Sequence, residues 1–260
     1  MVLPAYKAVA QALNRESPAV ALEVLPQVDS TNSELMRRFR AGDASALLLV
    51  AEHQTAGRGR LGRQWVSGSG SAAASLTFSL ALPLAPADWS GLSLAVGVSL
   101  ADALHPDLRV KWPNDLWLAQ RKLAGVLIET AQFGSQRQVI IGVGINLRAP
   151  DGSGLARPPA GLAECLPGID APTALLRVAA PLVRAVRRFE REGFAPFHSA
   201  FQRRDVLAGQ PVTLSDGFCG IAQGVSAQGE LLLQSGPSVR VVRSDEVSLR
   251  PPASAPLGAA

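Results

Sequence analysis

Apolar and polar positions alternate in two distinct textures along the chain. Up to about Arg204, strand-length apolar runs are interleaved with stretches of helical spacing. The unbroken run Ala46-Leu47-Leu48-Leu49-Val50-Ala51 predicts a buried strand. Before it, the alanine-rich segment Met1–Pro18 predicts a short helix, and Thr31-Asn32-Ser33-Glu34 fits a capping box with Thr31 as N-cap. Leu35, Met36 and Phe39 continue that helix to Gly42. Ala72–Leu82 reads as a strand ended by Pro83 and Pro86. Ser90–Leu104 has helical spacing and stops before Pro106. Three extended runs follow, Arg109–Trp112, Leu123–Thr130 and Gln138–Leu147. Ala149–Pro172, rich in Pro, Gly and Ala, predicts a long surface loop, then Thr173–Gly193 and Pro196–Arg204 two further helices.

From Asp205 the texture changes to short alternating runs: Gln210–Leu214, Phe218–Ser226, Leu231–Gln234, Val239–Val242 and Val247–Leu249. Asp216-Gly217 and Gln228-Gly229 supply hairpin turns between them. The expectation is an α/β protein with a mixed sheet, not strict βαβ alternation, followed by a small β-barrel. A chain of 260 residues holds one large and one small domain, here 1–205 and 206–250, with a disordered tail over 251–260.

Between the first two predicted strands lies Gly57-Arg58-Gly59-Arg60-Leu61-Gly62-Arg63-Gln64-Trp65. Its glycines let the backbone turn tightly and approach a ligand, and its arginines offer forked donors for carboxylate or phosphate. The spacing matches G-x-G-x-x-G formally. A dinucleotide fold also needs an apolar helix opening inside the motif and a carboxylate about 20 positions on, and neither is present. No Gly-Lys-Ser or Gly-Lys-Thr follows, so a P-loop is excluded. The stretch reads as an anion cradle at a sheet edge.

Composition narrows the classes. Hydrophobic residues are 47% and charged residues 18%, which suits a folded chain. Cys165 and Cys219 form no disulfide framework, and three scattered histidines form no zinc cluster. Leu92–Leu104 is too short to span a bilayer, and the N-terminus lacks the basic and apolar regions of a signal peptide. The net charge of +4 is spread along the chain, and aromatic residues are only 5%, which gives little footing for nucleic acid.

Downstream of the arginine loop stand Val110-Lys111-Trp112-Pro113-Asn114-Asp115-Leu116, Lys122-Leu123-Ala124-Gly125-Val126-Leu127-Ile128-Glu129 and Gly142-Val143-Gly144-Ile145-Asn146-Leu147, and upstream Asp29-Ser30-Thr31-Asn32. In order and spacing these blocks resemble the motif set of the biotin protein ligases. Lipoate ligases, a related family of similar fold, lack the Gly-Arg-Gly-Arg loop and the Lys-Trp-Pro-Asn-Asp block. The resemblance implies a mixed α/β catalytic domain with a C-terminal SH3-like barrel. It implies that biotin attacks the α-phosphate of ATP, with Mg2+, to give biotinyl-5'-AMP, and that a lysine of a biotin carboxyl carrier domain then takes the biotinyl group.

Carried over position by position, the resemblance makes Arg60, Lys111, Asp115 and Lys122 catalytic. Biotin falls to Ser30, Thr31, Asn32, Gln54, Gly57, Arg58, Gly59, Arg60, Lys122 and Gly125. ATP falls to Arg58, Arg63, Trp65, Lys111, Asn114, Asp115 and Asn146. Asp115 either orients Mg-ATP or takes the proton of the incoming lysine. Trp112 and Trp117 read as core or wall. The resemblance further implies a cytoplasmic protein, a monomer or weak homodimer, without membrane or nucleic-acid partners, since too little chain precedes Asp29 for the winged helix of repressor-type members. The rivals are a ligase adenylating lipoate or another carboxylate, and a non-catalytic basic nucleic-acid-binding module. One departure is Ser71-Ala72-Ala73-Ala74-Ser75-Leu76, where many members carry an Asn-Leu-Tyr type segment; it bears on the shape of the biotin-tail pocket.

Overall fold

A computed structural model describes residues 3–65, 74–134, 136–150, 158–243 and 247–249. Its core is a seven-stranded sheet in the order β1-β2-β3-β7-β6-β5-β4. The strands are β1 (Ala21–Val28), β2 (Leu47–Gln54), β3 (Ser75–Pro83), β4 (Arg109–Lys111), β5 (Asp115–Leu118), β6 (Arg121–Phe133) and β7 (Gln136–Asn146). β1 and β2 run parallel and the remaining neighbours antiparallel, so the sheet is mixed, as expected.

The unbroken apolar character of β2 follows from its having helices on both faces. Leu48 and Val50 join Leu80, Ile141 and Val143 in the large core under α1 (Lys7–Glu16), α3 (Leu92–Leu104) and α4 (Ala171–Glu192). Leu47 and Leu49 point the other way and pack with Ala81, Ile140 and Leu35 of α2 (Thr31–Arg40). α2 covers only part of this second face. Beyond it, register brings Ser79 opposite Gly142, Thr77 opposite Gly144, and Gly125 opposite both Gly144 and Asp115. The second face thus changes from apolar under α2 to small and polar beside it.

One expectation is corrected, and two strands lie where none was expected. The N-cap of α2 is Ser30, whose Oγ accepts from Ser33 N at 3.5 Å, and Thr31 is the first helical residue. The Thr31 hydroxyl is instead held between Gln54 Oε1 (3.1 Å) and Ser79 Oγ (2.6 Å), and Glu34 turns to Arg37 and Arg38. β1 lies in a stretch for which no strand was expected, and Pro26 lies inside it. It is an edge strand, where a missing N–H is tolerated, and Pro26 has no partner in the register with β2. β5, only four residues long, was not expected; it turns back from β4, the expected run at Arg109–Trp112, to form a hairpin. β3 ends at Pro83, opposite Gln138, within one residue of the expected end.

α5 (Ala195–Arg204) leads into a five-stranded antiparallel sheet, the SH3-like unit, in the order β11-β10-β9-β8-β12. Its strands are β8 (Pro211–Leu214), β9 (Cys219–Val225), β10 (Leu231–Ser235), β11 (Ser238–Val242) and β12 (Val247–Leu249). The expected turns hold: Gly217 and Gly229 have φ of 83° and 85°. This unit docks on the β4 edge. Trp112 Nε1 donates to Gly229 O (3.1 Å), and Lys111 Nζ to Val247 O (2.7 Å). The expected tail 251–260, the middle of the long loop (151–157) and positions 71–73 of the departing segment lie outside the described residues.

Candidate active site

The partly covered face of the sheet opens into a cavity of about 640 Å³. Four structural pieces wall it: the start of α2 with the end of β2, the glycine-arginine loop, the β4–β5 turn, and the glycine positions of β6 and β7.

The first wall is a buried polar network. Ser30, Thr31, Asn32 and Gln54 are each under a tenth exposed. Gln54 Oε1 accepts from Thr31 N (2.7 Å) and from the Thr31 hydroxyl, which leaves Gln54 Nε2 as the donor for a ligand. Asn32 is saturated. Its Oδ1 accepts from Ser79 Oγ (2.6 Å), and its Nδ2 donates to Leu127 O (3.3 Å) and Glu129 Oε2 (2.8 Å). Burial without partners would be costly, so this closed network holds α2 against the sheet in one arrangement.

In the loop, Gly59 N donates to Arg63 O (2.7 Å) and Trp65 N to Gly57 O (2.9 Å). Gly57 does not line the cavity. It lets the loop close, since a Cβ there would lie 2.4 Å from Trp65 O. Arg58, Gly59, Arg60, Arg63 and Trp65 do line it. Arg60 Nη1 reaches Asn114 Oδ1 at 3.5 Å, and Arg58 Nη2 pairs with Glu129 Oε2.

Across the cavity, Asn114 Nδ2 donates to Val126 O (2.8 Å), which holds the β4–β5 turn on β6. Lys122 Nζ stands 2.8 Å from Asp115 Oδ1. The pair is in contact by distance but off the hydrogen-bonding direction, so this buried oxygen has no aligned donor among the described residues. Lys111 Nζ lies 5.1 Å from the Trp117 ring centroid, and both residues line the cavity with Val247 of β12. Trp112 and Trp117, buried at 2% and 9% exposure, are walls, as expected.

Arg58, Arg60, Arg63, Lys111 and Lys122 therefore converge on one cavity whose described lining holds a single carboxylate, Asp115. That field suits a ligand carrying several negative charges. Asn146 does not line the cavity; its Nδ2 donates to Ala160 O (3.2 Å) at the end of β7.

Sequence reasoning missed the floor. A Cβ on Gly142 would fall 2.3 Å from Asn32 Oδ1, and one on Gly144 2.3 Å from Trp65 Cε2. The indole thus lies flat on the Gly144 backbone, its Nε1 buried without an acceptor among the described residues. The signal was present: glycines two apart in a strand share a face. Glu129 and Ser79 were missed as well, and nothing local marks them.

Residues 24–146 match the model of the "Biotin/lipoate A/B protein ligase family". The chain is 38% identical to the bifunctional ligase/repressor BirA of Escherichia coli, over 88% of this chain and 74% of that protein. It is 32% identical to the biotin–[acetyl-CoA-carboxylase] ligase of Paracoccus denitrificans, over 86% of this chain and 98% of the relative. Its fold is similar to that of a biotin protein ligase from Aquifex aeolicus solved in complex with biotin and ATP, with a TM-score of 0.72 and 30% identity, covering 88% of this chain and 98% of that one.

Proposed function

The chain belongs to the biotin protein ligases, within the biotin/lipoate A/B protein ligase family, and from that premise we propose how its residues act. It is an ATP-dependent ligase that attaches biotin, through biotinyl-5'-AMP, to a lysine of a biotin carboxyl carrier domain. The observation that carries this reading is the convergence of five cationic side chains on a glycine-floored cavity.

Joining a carboxylate to an α-phosphate brings two anions together. Arg58, Arg60, Arg63, Lys111 and Lys122 offset that repulsion and the charge developing in the transition state. Gln54 Nε2 donates to the ureido oxygen of biotin, and Ser30 and Thr31 complete that end of the pocket. The flat bicycle lies against Gly125, and the nucleotide lies toward Trp65, Lys111 and Asn114. Lys122, across the cavity from the arginine loop, bridges the reacting carboxylate and α-phosphate.

Mg2+ fits as an ion brought in by the triphosphate. Among the described residues no three metal-binding side chains cluster, and Asp115 is the lining carboxylate that would hold it, an arrangement usual for Mg2+. When bound, it supplies further neutralisation of phosphate charge. In the second step Asp115 takes the proton that the acceptor lysine must lose, since a lysine amine has a reference pKa of about 10.4.

We place the domain boundary at Asp205/Val206 and the tail from 251. No helix among the described residues is long and apolar enough to cross a membrane, and we assign the chain to the cytoplasm as a monomer or weak homodimer without a nucleic-acid partner. The test is pyrophosphate release from ATP on addition of biotin, followed by biotin transfer to a purified carrier domain. Release driven equally by lipoate would overturn the substrate assignment, and no release with either would overturn the activity.

A further inference from the structure

Glu129 sits on the cavity face of β6, two residues beyond Leu127, which pairs with Gly142 of the floor. A single oxygen, Oε2, accepts from two donors: Asn32 Nδ2 at 2.8 Å and Arg58 Nη2. The two donors come from different walls. Asn32 is fixed from below by the bare Gly142 backbone and from the side by Ser79. Arg58 belongs to the glycine-arginine loop, forms an antiparallel bridge with Gln64, and takes no other side-chain partner among the described residues.

We propose that Glu129 is a positioning residue that clasps one edge of the Arg58 guanidinium, leaving the other edge for the ligand's anionic groups. This rests on the reading of the cavity as a biotin-adenylating site. A guanidinium has five donors in a rigid planar fork, so anchoring one edge aims the opposite one. Without the anchor, an arginine on a glycine-hinged loop and 45% exposed would lose its orientation to solvent. The Asn32 contact ties the clasp to the residue that also holds α2 on the floor. Binding of the ring end of biotin and aiming of Arg58 at its carboxylate end are thereby linked through one carboxylate oxygen.

The test is a double-mutant cycle on Arg58→Ala, Glu129→Gln and the pair, in the full chain. Glu129→Gln keeps the shape and removes the charge. Each single variant is expected to release biotinyl-5'-AMP roughly tenfold faster, the loss of one charge-assisted hydrogen bond. The double variant is expected to match Arg58→Ala within about twofold. Effects that multiply to roughly a hundredfold, or a Glu129→Gln variant that retains the adenylate like the parent, overturn the proposal.

A ligand-free readout decides the clasp even if the chain makes no adenylate. Hydrogen exchange at the Gly59 and Trp65 amides, which close the loop, should quicken several-fold in Glu129→Gln and no further in the double variant. Unchanged exchange in Glu129→Gln shows that Glu129 holds nothing in place. Failure of pyrophosphate release in the parent chain, by contrast, counts against the functional reading alone.

Discussion

The two faces of β7 show how one strand serves two purposes. Val139, Ile141, Val143 and Ile145 enter the large core and are at most 3% exposed. The alternate positions Ile140, Gly142 and Gly144 start under α2 and then run out along the cavity, and Asn146 ends the strand beyond it. The first face is built for volume, with branched side chains packed against α3, α4 and neighbouring strands. The second is built for absence of volume, so that Asn32 and Trp65 can lie on bare backbone. A strand reads as uniformly apolar on both counts, since glycine and valine break neither pattern. The difference lies in what each face is packed against.

The contrast can be broken from either side. Ile141→Ala removes volume from the core face and should cost about 2–5 kcal/mol of stability by cavity formation, with kcat for adenylation retained well below the melting temperature. Thermal melting beside pyrophosphate release checks this; a selective loss of activity would mean that the core face also shapes the site.

Lys122→Ala should leave the fold intact and lower single-turnover adenylation about 10²–10³-fold, while biotin affinity by calorimetry changes far less. Its ammonium acts where charge gathers in the transition state, whereas the ring of biotin is held by Gln54 and the walls. Near-normal adenylation with badly weakened biotin binding would make Lys122 a binding residue only.

Arg60→Ala removes a charge-assisted donor worth about 1.5–3 kcal/mol. Faster loss of the adenylate and labelling of bystander lysines are the expected signs, read by dissociation of radiolabelled intermediate. Retention equal to the parent's would remove Arg60 from the site.

Gly144→Ala adds one methyl to the cavity face, 2.3 Å from the Trp65 ring. Overpacking of about 1–3 kcal/mol should appear as a displaced indole, with changed tryptophan fluorescence and weaker ATP binding, beside little effect on biotin. Unchanged fluorescence would show that the ring does not rest on this glycine.

Much of the frame was legible from local pattern. β2, β6, β7, α3, α4 and the hairpins of the C-terminal unit follow from apolar runs, helical spacing and glycine turns. β1 and β5 were not legible, because an edge strand tolerates Pro26 and a four-residue strand is too short to show a period. The capping box pointed one residue late. Ser30 and Thr31 are chemically equivalent caps, and the choice between them was made by Gln54 and Ser79, one 23 and the other 48 residues from Thr31.

The candidate site divides in the same way. Residue types and order alone determined that cations at Arg58, Arg60, Arg63, Lys111 and Lys122 stand in blocks with Gln54, Asn114 and Asp115, because chemistry at a site needs particular functional groups. Tertiary structure alone decided that these face one cavity while Asn146 turns away, that Gly142 and Gly144 form its floor, and that Glu129 reaches Arg58. Each depends on which sheet face α2 leaves bare and on strand register between segments far apart in the chain. A one-residue shift in the register of β6 or β7 would turn Glu129 to the other face or put side chains where Gly142 and Gly144 leave the floor bare.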